Sequence, residues 1–67
     1  MTAAPQFPAV TIHDERGDLR GLLIGRDLER GECLVVVTRK DAPGWFQAAH
    51  TSNCPHVWAK AERVVRE

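Results

Sequence analysis

The run Cys33-Leu-Val-Val-Val-Thr38 constrains this chain more than any other feature, because three successive valines leave little choice of backbone. β-Branched side chains are stiff at χ1 and crowd a helix, whereas the pleated surface of a sheet accommodates them. A strand over residues 33–39 that is apolar on both faces belongs inside a sheet, since an exposed apolar edge would recruit other chains. It is therefore expected to be central, with the first and last strands as the edges.

The flanking segments supply further strands and the turns between them. Val10 and Ile12 alternate with Thr11 and His13, the period-2 pattern of a strand with one buried face. Asp14–Asp18 is a charged turn in which Gly17 can adopt a positive φ. In residues 19–26 two glycines, Gly21 and Gly25, bracket Leu22, Leu23 and Ile24, and glycine inside a strand commonly marks a bulge or a bend. Residues 27–32, with Gly31, read as a hairpin connection, and residues 40–44, with Pro43 and Gly44, read as a turn. Trp45–His50 is predicted as a fourth strand and His56–Lys60 as a fifth, after which Ala61–Val65 forms a helical turn leading into a short closing strand.

No amphipathic pattern longer than two helical turns interrupts this rhythm, so the fold class is all-β, with about five short antiparallel strands. Three features, Arg20–Gly25, Cys33–Val37 and the ending Val57–Val65, together resemble the SH3-like small barrels, in which a helical turn precedes the last strand. The resemblance spans residues 9–66 and implies a small barrel with a single helical turn near the C-terminus. It carries no catalytic residue, since such a fold hosts many unrelated functions. The core expected from alternation is Val10, Ile12, Leu22, Ile24, Leu34, Val36, Val57 and Val64, or the alternates one register off.

A chain of 67 residues makes one domain, here residues 9–67 behind a flexible lead-in at 1–8 that carries Pro5 and Pro8. Its 43% apolar content suffices for one core, although so short a chain hides only about 60% of the surface it exposes when unfolded. Marginal stability of this kind gains from a partner or from self-association.

Nine basic side chains balance nine acidic ones, which removes any global attraction to phosphate or to a membrane surface. Residues 14–32 hold six acids and four arginines, and residues 33–67 hold five bases and three acids, too mild an asymmetry to name a partner. The first ten residues lack the basic and apolar regions of a signal peptide, and the apolar runs at 21–25 and 33–37 are too short for a bilayer. A cytoplasmic protein with reduced Cys33 and Cys54 is expected. Seven arginines against two lysines suit a GC-rich bacterial genome.

Three constellations carry possible chemistry. His50, Cys54 and His56 crowd one short stretch and, with the more distant Cys33, supply a nominal zinc set or a thiol paired with a base. Cys33 stands alone in a strand and Cys54 precedes a proline, so the paired-ligand knuckle of a structural zinc site is missing, and a polar loop is expected instead. No metal, cofactor or catalytic residue is assigned, and the chain is read as no enzyme. Trp45, Phe46 and Trp58 form the second constellation. Adjacent Trp45 and Phe46 on a strand would face opposite ways, which exposes one large ring beside Arg39, Lys40 and Lys60, the aromatic and cationic mixture common in binding hot spots. Alternatively Trp58 fills the core and Trp45 caps one end of the barrel. The third is a set of cations, Arg39, Lys40, Lys60, Arg63 and Arg66, which with stacking aromatics would suit nucleic acid if gathered on one face. The reading that follows is a non-catalytic module that binds another protein or itself through Trp45, Phe46, Trp58, Arg39, Lys40 and Lys60. Nucleic acid and the zinc or thiol site are its alternatives.

Overall fold

The computed structural model describes residues 7–67, so the lead-in expected over 1–8 falls mostly outside the described residues. Five strands, β1 (Ala9–Ile12), β2 (Leu19–Asp27), β3 (Glu32–Val37), β4 (His56–Lys60) and β5 (Val64–Arg66), form one antiparallel sheet in the order β4-β3-β2-β1-β5. One short helix, α1 (Gly44–Ala49), and two 3₁₀ turns, Arg39–Asp41 and Ala61–Arg63, complete the described elements. None of these helices is long and apolar enough to cross a membrane.

The turns follow the glycines. Gly17 has φ +135° between β1 and β2, and Gly31 has φ +64° in the β2–β3 connection, both in the half of the map that other residues avoid. The second 3₁₀ turn runs directly into β5, as the pattern at 61–65 implies.

The segment expected as a fourth strand, 45–50, instead falls in helix α1 through Ala49, with His50 as its extended C-cap. Of its six residues only Trp45 and Phe46 favour a strand, while Gln47, Ala48 and Ala49 favour a helix. Pro43 stands just before it, and its carbonyl accepts the N–H groups of Phe46 and Gln47, both at 3.0 Å, which closes the first turn. Five strands remain because the closing strand β5 takes its place in the sheet.

The valine strand is internal, paired on both sides, but β2 holds the middle of the sheet. β1, expected at an edge, lies between β2 and β5, so the edges are β4 and β5. The short β5 can reach β1 because the 3₁₀ turn brings the chain back across it, with the His13 N–H donating to the Arg63 carbonyl at 2.8 Å.

The core is built from Val10, Ile12, Leu19, Leu23, Cys33, Val35, Val37, Ala59 and Phe46, with Val57 and Val64 packed against it. Val10 and Ile12 are therefore inward as expected. Leu22, Ile24, Leu34 and Val36 are not, and their neighbours one register off take the inward positions. The physical reason is a lack of alternation. Leu22-Leu23-Ile24 and Leu34 to Val37 are apolar at every position, so either face could be buried. A register shift between Leu23 and Gly25 then puts Ile24 in a bulge. Gly21 lets β2 approach β3 closely, since a Cβ there would lie 2.3 Å from the Val36 carbonyl oxygen.

Candidate functional site

Helix α1 positions the aromatic pair. One face of so short a helix is buried, and Phe46 takes it, 1% exposed, while Trp45 stays half-buried at the surface. The two rings meet edge to face at 5.9 Å, and the His50 ring stacks on Phe46 at 4.2 Å, one helical turn further on. The split of Trp45 and Phe46 between outside and inside thus holds, although a helix produces it.

Trp45 is held from the other side by the β1–β2 turn. The Arg16 guanidinium lies 4.1 Å from the indole centroid, in cation–π contact. Arg16 is itself fixed by Asp14, whose carboxylate accepts its Nε at 3.1 Å and its backbone N–H at 2.9 Å. These hydrogen bonds hold the Asp14 carboxyl below its ordinary pKa and raise that of Arg16. Among the described residues the buried Trp45 Nε1 donor has no acceptor, and Gly17 passes so close that a Cβ on it would lie 3.5 Å from that nitrogen.

Between α1, the β1–β2 turn and β4 runs a cleft of about 270 Å³. Ile12, Leu19, Phe46 and Ala59 give it an apolar floor, and Trp45, Trp58, Arg16, Lys60 and Arg63 line it nearer the surface. Trp58 is 51% exposed, cross-strand from Leu34 on the face of the sheet away from the core. The reading in which Trp58 fills the core is therefore corrected, because Val57 and Ala59 occupy the inward positions of β4.

β4 is also a free edge, and its hydrogen-bond phase can be derived. The Val37 N–H donates to the Pro55 carbonyl at 3.1 Å, and the Ala61 N–H donates to the Gly31 carbonyl at 2.9 Å. In an antiparallel ladder residues turn their N–H and C=O alternately toward and away from the neighbouring strand. Residues 55, 57, 59 and 61 thus face β3. His56, Trp58 and Lys60 turn their N–H and C=O outward, where no further strand of the described residues pairs with them. Three consecutive ladder positions stand open beside the cleft.

Of the six residues singled out from the sequence, Trp45, Phe46, Trp58 and Lys60 border this cleft, the last two from positions of β4 that alternate with its inward residues. Arg39 does not. Its Nε donates to the Gln47 and His50 carbonyls at 3.1 and 2.6 Å, and its Nη2 to Gln47 at 3.0 Å, which satisfies carbonyls left unpaired at the end of α1. Lys40 lies elsewhere, beside Thr38, Asn53 and Cys54. Sequence reasoning missed Arg16, and it singled out Arg63 and His50 only for other roles, as a nucleic-acid cation and a zinc or thiol-site residue. The glycine turn at 14–18 is the only signal that could have pointed to Arg16, and it does not say what the turn touches.

Among the described residues no group of three His, Cys, Asp or Glu side chains, His50, Cys54 and His56 included, is placed to hold a metal ion. His50 is stacked on Phe46, and Cys54 is an exposed free thiol. The chain matches no protein-family model, no curated protein and no solved structure.

Proposed function

We propose that this chain is a small SH3-like barrel acting as a non-catalytic binding module, which takes an extended segment of another protein along the edge of β4. The observation that carries the reading is the coincidence of an open ladder at His56, Trp58 and Lys60 with a cleft that Trp45 and Trp58 both border. Main-chain pairing supplies affinity in strand addition, and pockets for side chains supply selectivity. The sheet order and the 3₁₀ turn before β5 support the SH3-like assignment. The same reading takes the chain as cytoplasmic, the compartment in which free thiols such as Cys33 and Cys54 persist.

Nucleic acid is the weaker alternative. Its five cations are split: Arg39 is turned onto helix carbonyls, Lys40 and Arg66 line other surfaces, and only Lys60 and Arg63 share the tryptophan cleft, with Arg63 3.9 Å from Glu15. Self-association through the same edge remains an outcome that the experiment below detects.

Selection of random extended peptides against the protein, followed by binding to the Trp58→Ala variant, tests the proposal. Because Trp58 is half exposed, the variant is expected to lose no more than about 1 kcal/mol of stability, the scale of a cross-strand pair. It is expected to lose at least about thirtyfold in peptide affinity, the scale of a hot-spot aromatic. Peptides that bind the variant as well as the parent, or a dimer that excludes all peptides, would count against it. Trp45→Ala is the poorer probe, since that ring also packs on Phe46.

A further inference from the structure

A second pocket, of about 320 Å³, opens between the β2–β3 hairpin and the chain leaving the second 3₁₀ turn, and it shares no lining residue with the tryptophan cleft. That volume lies at the lower end of the roughly 300–1,000 Å³ typical of small-molecule sites. Its apolar wall is Leu23, Cys33, Ala61 and Val64. Two of these, Leu23 and Cys33, belong to the buried core, so the pocket is an opening onto the core.

Two arginines stand over this opening. Arg26 is cross-strand from buried Cys33 and Arg66 is cross-strand from buried Val10, so both occupy core-face positions of the sheet. Core-face positions ordinarily carry apolar residues. Among the described residues neither guanidinium has an ion-pair partner. Two carboxylates also line the pocket, and both are engaged by Arg30. The Asp27 carboxylate accepts the Arg30 backbone N–H at 3.1 Å, and Glu32 lies 3.2 Å from the Arg30 Nε. The pocket therefore presents an apolar wall beneath two cations without ion-pair partners among the described residues, and of its two carboxylates Glu32 pairs with the Arg30 guanidinium and Asp27 accepts a backbone N–H.

We propose that this pocket binds an amphipathic organic anion, an unbranched apolar chain ending in a carboxylate or a phosphate. The chain lies against Leu23, Cys33 and Val64, and Arg26 and Arg66 hold the head group. A guanidinium pairs with either oxyanion through parallel N–H donors, and both residues are arginine. This site is independent of the β4 edge, and either can fail without the other.

The test uses the full chain, titrated with octanoate and with octyl phosphate below their micellar concentrations and followed by amide chemical shifts. Saturable binding of one molecule per chain is expected, with the largest shifts at Leu23, Cys33 and Val64, and the tighter of the two ligands identifies the head group. Octanol, which lacks the charge, and acetate, which lacks the chain, are each expected to bind at least about tenfold more weakly. Arg26→Gln and Arg66→Gln, both at exposed positions, are expected to leave the fold intact and each to weaken binding about fivefold or more. The proposal is overturned if neither anion saturates, if octanol binds as well as octanoate, if the shifts map to the tryptophan cleft, or if the doubly substituted chain binds unchanged.

Discussion

Phe46→Ala is expected to destabilise the protein by about 3–5 kcal/mol, the range for removing a buried phenylalanine. The ring is 1% exposed and is the one residue of α1 in the core. It also organises its surroundings, because Trp45 meets its edge and His50 stacks on its face. Truncation leaves a cavity that a six-residue helix, too short to be stable alone, cannot close. Native domains carry about 0.05–0.15 kcal/mol of stability per residue, which puts a chain of this size near 3–10 kcal/mol. The variant is expected to lose about a third or more of the total stability, and to unfold outright at the lower end of that range. Urea denaturation followed by tryptophan fluorescence measures this. A loss below about 1.5 kcal/mol would mean that α1 does not close the core as described.

The second large effect is at Gly21. An added Cβ would meet the Val36 carbonyl oxygen at 2.3 Å and the Val35 Cγ1 at 2.7 Å. The first of these is backbone, so it cannot rotate away, and β2 or β3 must shift. Gly21→Ala is expected to cost about 3 kcal/mol or more, the upper end for overpacking. Gly25 provides the control within the same strand. Its nearest neighbour would be the Leu34 Cβ at 3.5 Å, ordinary van der Waals contact, and its φ is not positive. Gly25→Ala should therefore lie within about 1 kcal/mol of the parent, helped by the lower entropy of its unfolded chain. Thermal denaturation of the two variants side by side should separate them clearly, and equal midpoints would refute the close approach at Gly21.

Much of the fold was legible because certain residues admit one reading. Val10 and Ile12 alternate with polar neighbours, so their inward face was evident, and the turns at Gly17 and Gly31 announced themselves by composition. The register of β2 and β3 was not legible, since both strands are apolar at consecutive positions and the choice rests on the bulge near Ile24. Helix α1 was hidden for a related reason. Two adjacent aromatics suggest a strand, and the opposing signals, Pro43 and the two alanines, are individually weak.

The site divides in the same way. Exposed Trp58 and half-buried Trp45 could be singled out by type, but that both border one cleft depends on the tertiary fold. Arg39 reads as a binding cation because it lies near the aromatic pair in the sequence, and only the fold shows that helix carbonyls claim it. Arg16 reaches Trp45 from a turn 29 residues earlier in the chain, a contact for which local pattern gives no warning.

The central claim is that β4 offers an unpaired ladder beside the tryptophan cleft, and amide hydrogen exchange on the dilute, ligand-free protein tests it most directly. Val57 and Ala59, turned toward β3, should exchange slowly. His56, Trp58 and Lys60 should exchange at least about a hundredfold faster, as expected of amides outside the cooperative network. An alternation of fast and slow amides along these five residues is the predicted result. Trp58 and Lys60 amides as protected as that of Ala59 would show that the edge is already covered, and the proposed mode of binding would be contradicted.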